Sequence, residues 1–244
     1  EHVTLEAVEA SPLSGNAIDK LGERLRSGSI DADTLRKLES FRALHAPACK
    51  SVEAVLVDRL GLQLSWRPSK STVAIIEKLR RESIRLNQIQ DIAGCRVVVD
   101  GLRYQDRLLQ TMSIMLGDVR IDDKREAPQH GYRAVHVIAR FHGRPVEIQL
   151  RTHLQHVWAN ISEKVADDVG HSVKYGVGDA AALDFLQTLS VQTARLELIR
   201  KERDEVTEQI QKSGKSYELH RARKAINERE RACLARIRAI FARR

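Results

Sequence analysis

Between Asp91 and Arg151 the hydrophobic pattern changes its period, and that change constrains the fold more than anything else in the chain. Cys95-Arg96-Val97-Val98-Val99 is a β-branched run closed by Asp100-Gly101, whereas Tyr104 to Leu116 repeats at helical spacing and stops at Gly117. Further on, Val146, Ile148 and Leu150 alternate with Glu147, Gln149 and Arg151, the period of a strand with one buried face. Short strands set among helices bury themselves in a sheet that helices cover. The expected fold class is therefore α+β, with a small mixed β-sheet flanked by helices and helical extensions at both ends.

The flanking segments read as helices. From Ala17 to about Gly61 the spacing is helical: Asp31 and Asp33 sit where an N-cap would be, and Leu35, Leu38, Phe41 and Leu44 recur until Pro47 interrupts. A second run, Val52, Val55, Leu56 and Leu60, ends at Gly61. Ser71 to Arg85 is a third amphipathic stretch. Val119 to Ile121 reads as a strand. Ala134 to Arg140 and Pro145 to Arg151 read as a hairpin joined through Phe141-His142-Gly143-Arg144. Helices are expected from Thr152 to Val169, from Asp179 to Lys212, and, after a break at Ser213-Gly214-Lys215-Ser216, through Phe241. Residues 1 to 16 read as a loose arm. The expected organisation is 1–61 arm and helices, 62–176 core, and 177–244 C-terminal helices with a basic tail.

Composition removes several function classes. No apolar run approaches the 18 or so residues a membrane span needs, and no basic-then-apolar leader opens the chain. Cys49, Cys95 and Cys233 are an odd number without a CxxC pair, which fits a reducing cytoplasm better than a disulfide framework or a thiolate zinc site. The formal net charge is +8, and it is concentrated: Arg200 to Arg244 hold fourteen Lys+Arg against seven Asp+Glu. That tail could meet RNA phosphates, but Leu219, Ala222, Ile226, Leu234, Ile237 and Phe241 recur near helical spacing, so packing on the body or on another subunit ranks first.

The chemistry-bearing residues converge on polyphosphate. Asp91 precedes one strand and Glu147 lies within another, and Mg²⁺ is commonly held by one or two carboxylates together with substrate phosphate oxygens. Arg67, Lys70, Lys78, Arg80, Arg81 and Arg96 surround the first acid in sequence, and Arg133, Arg144 and Arg151 surround the second. Arginine clamps phosphate bidentately and lysine acts as a point charge. Gly131-Tyr132 adds a flexible step followed by a ring able to stack on a base. No GxxxxGK[ST] and no GxGxxG is present, so the phosphate loops that use those glycines are excluded. His153 and His156 lack a third obvious ligand and read as surface or capping histidines.

Four stretches, taken in order, resemble the RelA/SpoT-type alarmone synthetase family. They are Arg67-Pro68-Ser69-Lys70 with Lys78, Asp91 through Val99, His130-Gly131-Tyr132-Arg133-Ala134-Val135-His136, and Val146 through Thr152. The resemblance implies a nucleotidyltransferase-like mixed sheet and transfer of the β,γ-pyrophosphate of ATP to the 3′-hydroxyl of GDP or GTP. It implies that Asp91 and Glu147 hold Mg²⁺, with Glu147 also placed to activate the hydroxyl. By the same resemblance Arg67 and Arg96 sandwich adenine, Lys70 and Lys78 meet the ATP phosphates, Tyr132 stacks on the acceptor guanine, and His136, Gln149 and Arg151 line the same cleft. Members of the family are often oligomers through terminal helices, which implies a homo-oligomer here. The acceptor loop reads Ala127-Pro128-Gln129-His130-Gly131-Tyr132 where the family has Lys-Pro-x-Asn-Gly-Tyr, and Ala74 stands where it has serine. Two alternatives remain open: a toxin-like relative that pyrophosphorylates the 3′ end of tRNA, and a degenerate homologue that only binds nucleotide or a partner.

Overall fold

The structure, a computed structural model, describes residues 13–67, 69–213 and 216–242. Most of the expected N-terminal arm, Pro68, and the Gly214-Lys215 part of the expected break lie outside the described residues.

Helix α1 (Gly15–Ser27) begins where the Ser14 hydroxyl accepts from the Ala17 N–H at 3.3 Å, and ends at Gly28 with φ +84°, a conformation glycine adopts without a Cβ clash. Helix α2 (Ala32–Ala43) is capped by Asp31, as the sequence predicts, its carboxylate accepting from Thr34 N at 2.8 Å. Pro47 does more than interrupt. It sits in the first turn of α3 (Ala46–Glu53), where a missing N–H costs nothing because that N–H would have no helical partner. Helix α3 runs on through a π-helical turn, Ala54–Arg59, to Gly61 at φ +64°.

Helix α4 (Thr72–Glu82) starts at its Ser71 cap and stops short of Arg85, because Ser83 turns into the left-handed region at φ 52° and a 3₁₀ turn, Leu86–Gln88, follows. Its buried residues Ile75 and Leu79 join Ile18, Leu21, Leu25, Leu38, Phe41, Leu86, Ile89 and Ile92 in one apolar cluster. Gly22 permits the closest approach there: a Cβ would lie 2.9 Å from that of Leu86.

Five strands form one mixed sheet in the order β1-β2-β5-β4-β3, flanked by helices: β1 (Ser65–Arg67), β2 (Gly94–Val99), β3 (Val119–Asp123), β4 (Val135–Phe141) and β5 (Arg144–Thr152). Strand β1 was not expected, since three residues, Ser-Trp-Arg, are too few to display an alternation. It pairs antiparallel with β2, matching Ser65 with Arg96, Trp66 with Cys95 and Arg67 with Gly94. The β4–β5 hairpin is tighter than predicted: His142 (φ 50°) and Gly143 (φ 71°) make a two-residue turn of the kind that suits strand twist. Helix α5 (Leu102–Leu116) lies between β2 and β3 in the chain.

After β5, helix α6 (His153–Val169) opens with a reciprocal cap between Thr152 and Gln155. A 3₁₀ turn, His171–Tyr175, leads to Gly176. The long helices α7 (Ala180–Ser213) and α8 (Tyr217–Ala242) then pack on each other, with Ile226 and Cys233 of α8 buried against Leu196 and Ile199 of α7. Phe241 meets Phe185 edge to face at 5.7 Å. The predicted apolar stripe of the last helix is thus taken up within the chain. By contacts the chain divides into two compact units, one comprising 1–96, 116–120 and 138–148, the other 97–115, 121–137 and 149–244.

Candidate active site

In the first unit the predicted donor-side residues come together on Asp91. The loop carrying Lys70 is tied down at both peptide groups: Lys70 N donates to Ile92 O at 2.8 Å, and the Arg42 guanidinium donates to Lys70 O at 2.8 and 3.2 Å. From that position Lys70 Nζ reaches Asp91 Oδ2 at 2.6 Å, while Lys78, on α4, reaches Oδ1 at 3.0 Å. Arg67 donates to the Asp91 carbonyl at 3.0 Å and stands 3.8 Å from its carboxylate. Burial alone would raise the Asp91 pKa, but the two ammonium groups outweigh it and hold the carboxyl at about 2, so it is ionised at neutral pH.

Register explains the arginines. Residues directly opposite in a ladder share a face, so the pairs Ser65–Arg96 and Arg67–Gly94 put Arg67 and Arg96 diagonally on one face of the β1–β2 ribbon. Gly94 is required for another reason. A Cβ there would lie 2.6 Å from the Glu147 carbonyl oxygen, and Glu147 N in turn donates to Ala93 O at 3.1 Å. The backbone of Glu147 is therefore held against the segment that follows Asp91.

In the second unit the four predicted acceptor-side residues form one chain of hydrogen bonds. Arg151 donates to Gln149 Oε1 at 2.8 Å and to the Tyr132 hydroxyl at 2.9 Å. That hydroxyl also shares a hydrogen bond of 2.8 Å with His136 Nε2. The Arg151 guanidinium also lies over the Tyr132 ring, 5.2 Å from its centroid. Glu147, Gln149 and Arg151 occupy alternate positions of β5, opposite in phase to the fully buried Ile148 and Leu150.

The loop that presents Tyr132 is strained and braced. His130 (φ 52°) and Gly131 (φ 87°) are consecutive left-handed residues, and a Cβ on Gly131 would lie 2.8 Å from Trp158 Cζ2. Ser190 Oγ donates to Gly131 O at 2.5 Å, and Trp158 Nε1 donates to Leu186 O at 2.9 Å. Beside Tyr132 lies a cavity of about 110 Å³ lined by Gln129, His130, Arg151, Trp158, Glu163 and Lys174, among others. Sequence reasoning missed Arg42, Ser190 and Lys174, whereas Glu163 stands with Lys164 where the family resemblance leads one to expect a Glu-His pair. Each of the three missed residues acts through a tertiary contact, and none stands in a local pattern that announces it. A larger cavity of about 680 Å³ contains none of the predicted residues, and four of its five cations, Arg103, Arg200, Lys201 and Arg203, are bound to Glu208, Asp106 or Glu230.

Among the described residues no group of three or more His, Cys, Asp or Glu is gathered to hold a metal with protein ligands alone. No described helix is long and apolar enough to cross a membrane.

Known proteins resemble this chain in sequence and in fold. An uncharacterized protein of Mycobacterium tuberculosis is 37% identical over 176 residues, covering 67% of this chain; the chain spans 63% of that relative's length. The GTP pyrophosphokinase YjbM of Bacillus subtilis is 32% identical over 114 residues, 39% of this chain and 52% of its own. In structure, the small alarmone synthetase 1 of Bacillus subtilis bound to its product pppGpp superimposes with a TM-score of 0.55 at 24% identity, covering 70% of this chain and 99% of that one. A GTP pyrophosphokinase family protein of Streptococcus pneumoniae gives 0.55 at 20% identity, covering 75% and 97%. At these identities the structural likeness establishes the fold. Residues 67–171 match the family described as a region found in RelA / SpoT proteins, so over that stretch the chain is of the RelA/SpoT type.

Proposed function

We propose that the domain is a pyrophosphokinase that moves the β,γ-pyrophosphate of ATP to the 3′-hydroxyl of GDP or GTP, releasing AMP. The observation that carries this reading is the pair Lys70 and Lys78 closed on an ionised Asp91. Two ammonium groups already gathered at a carboxylate are preorganised for a polyanion, and charge neutralisation is what pyrophosphoryl transfer demands most of a protein. Arg67 and Arg96, sharing a face, are suited to hold adenine between two planar guanidinium groups. Tyr132, fixed by His136 and Arg151, offers its ring to the acceptor base, and Gln149 and Arg151 orient the ribose and phosphates. Glu147 accepts the proton of the attacking hydroxyl.

A magnesium ion fits this donor set. An ionised Asp91 together with Glu147 would supply two hard oxygen donors to a cation that completes its shell with phosphate oxygens and water. Bound there, Mg²⁺ supplies charge neutralisation at the β- and γ-phosphates.

A second reading keeps the transfer and changes the acceptor to the 3′ end of tRNA. It rests on α8, where the exposed Arg221, Lys224, Arg231 and Arg238 follow one another at three- and seven-residue spacing and make no ion pair among the described residues. Incubating the whole chain with Mg²⁺, γ-labelled ATP and, in parallel, GDP, GTP or tRNA decides between the two. Label on the guanine nucleotides is the expected result, and label on tRNA instead moves the assignment to the second reading. No transfer to any acceptor, with ATP binding intact, makes the domain a nucleotide-binding regulator.

A further inference from the structure

Arg133 stands one residue after Tyr132, and its guanidinium is directed at neutral groups of the protein itself. Nη1 donates to the Arg125 carbonyl at 2.8 Å, and Nε donates to the Ser190 hydroxyl at 3.4 Å. That hydroxyl gives its own proton to the Gly131 carbonyl at 2.5 Å. A single strut therefore runs from Arg125 through Arg133 and Ser190 to Gly131, and it grips the chain on both sides of Tyr132. Its two ends are fixed. The Arg125 side chain is held by Asp106 Oδ1 at 2.7 Å, Asp123 Oδ2 at 2.6 Å and Gln105 Oε1 at 3.0 Å. Ser190, 1% exposed, projects from α7, and Glu197, seven residues on along the same helical face, accepts from the Thr152 hydroxyl beside Arg151. The loop between the ends needs a brace. Tyr132 N donates to Gln129 O at 2.9 Å, closing a turn whose two central residues, His130 and Gly131, are both left-handed. A Cβ disfavours that conformation at His130, so it persists only where outside contacts over-determine it.

We propose that Arg133 and Ser190 are positioning residues for the transfer reaction, acting together as one strut that fixes where the Tyr132 ring stands; this rests on the reading of Tyr132 as the acceptor platform. The tyrosine is held at its tip by Arg151 and His136. Those bonds locate the hydroxyl but let the ring pivot about it whenever the backbone at 131–133 shifts. The strut removes that freedom, so the loop is already ordered when the acceptor arrives and the cost of ordering it does not fall on binding. Arginine suits the task because two N–H groups in one rigid plane reach two acceptors at once, which a lysine ammonium on a flexible stem does not reproduce. The Arg133 guanidinium thereby serves the loop and not a phosphate, although its place beside Tyr132 in sequence suggests the latter. Ser190 lies beyond residues 67–171, so a helix outside the matched stretch completes the acceptor side.

Calorimetry on the whole chain tests this through the split between two ligands: the methylene analogue of ATP with Mg²⁺, and GDP added once that analogue is bound. Ser190→Ala and Arg133→Met are each expected to weaken GDP about tenfold, the scale of a buried hydrogen bond left unmade, and to leave the ATP analogue within about twofold of the wild type. Because both residues act through one strut, the double variant should bind GDP at most about twofold more weakly than the weaker single variant. Arg133→Lys keeps the charge and loses the fork, so its GDP affinity should stay within about threefold of Arg133→Met. Wild-type GDP binding in both single variants overturns the proposal. Recovery of wild-type GDP binding by Arg133→Lys overturns it in favour of a charge contact to phosphate. Losses that multiply to about a hundredfold in the double variant make the two residues independent and overturn the strut. Equal losses for both ligands, or a variant that binds neither, assign the pair to general stability. A wild type that binds the ATP analogue but no GDP removes the platform reading of Tyr132 itself, and this proposal with it.

Discussion

Asp91 concentrates the electrostatics of the donor side into one residue. Its carboxylate is nearly buried and faces Lys70 and Lys78, so Asp91→Asn leaves two ammonium groups near each other with only Glu82, 3.9 Å from Lys78, as a counter-charge. That change is expected to cost about 2 kcal/mol of stability, between the limits for exposed and buried ion pairs, and to abolish transfer. Chemical denaturation and an end-point assay read the two effects separately. Glu147→Gln is expected to abolish transfer with a far smaller loss of stability, since the position is half-buried and its backbone contacts to Ala93 remain. The Asp91 ion pairs also set an acid limit. The folded pKa, near 2, lies below the ordinary value of 3.8, so this carboxylate contributes stability that is complete above pH 4 and is lost as pH falls towards 2. Gly131 makes a purely steric prediction. Gly131→Ala combines a left-handed φ with a Cβ 2.8 Å from Trp158, and is expected to cost about 2 kcal/mol and displace Tyr132, read as a change in KM for the acceptor larger than that for ATP.

At the scale of elements, the junction between β5 and α6 is governed by a buried acid. Glu197, on α7, accepts from the Thr152 hydroxyl and from Gln155 Nε2, the two residues that cap α6. Burial pushes its pKa above the ordinary 4.5 despite those hydrogen bonds. A raised carboxyl pKa favours folding below the unfolded value and opposes it as pH rises through the folded one, so the wild type should lose stability above about pH 4.5 relative to Glu197→Gln. Thermal melts of the two proteins at pH 4 and pH 8 check the sign: the difference in Tm should favour the variant at the higher pH. The elements themselves were largely legible in the sequence. Ser71, Asp31 and Gly61 announced helix ends through local backbone chemistry, and β5 announced itself by alternation. What escaped was non-local. Strand β1 exists because its three residues pair with β2, and that register, invisible in the sequence, places Arg67 and Arg96 on one face. Tyr132, His136, Gln149 and Arg151 could be singled out one by one, yet only folding joins them in a single hydrogen-bonded chain. Lys174 and Ser190 carried no signal because ordinary surface or helix residues occupy such positions in most chains.

Over the whole molecule, the charge divides between a nearly neutral body and a strongly basic C-terminal segment. The α7–α8 pair is stitched by Arg200 and Arg203 to Glu230 and by Arg229 to Glu202, so part of the tail's positive charge is already spent inside the chain. The rest, on the exposed side of α8, predicts a strong salt dependence for any binding to RNA, with little effect on transfer to a free nucleotide. Reversing Lys224 and Arg231 to glutamate is expected to leave the rate with GDP within about twofold at 0.15 M salt, where charges beyond the screening length count for little. The central claim concerns which group moves, and one measurement addresses it directly: the adenine product formed when the chain is given ATP, Mg²⁺ and GDP. Transfer of the β,γ-pyrophosphate releases one AMP for each GDP consumed, with the β- and γ-phosphorus atoms of ATP travelling together to the 3′ position. That is the result predicted here, and ADP accumulating in place of AMP would contradict it.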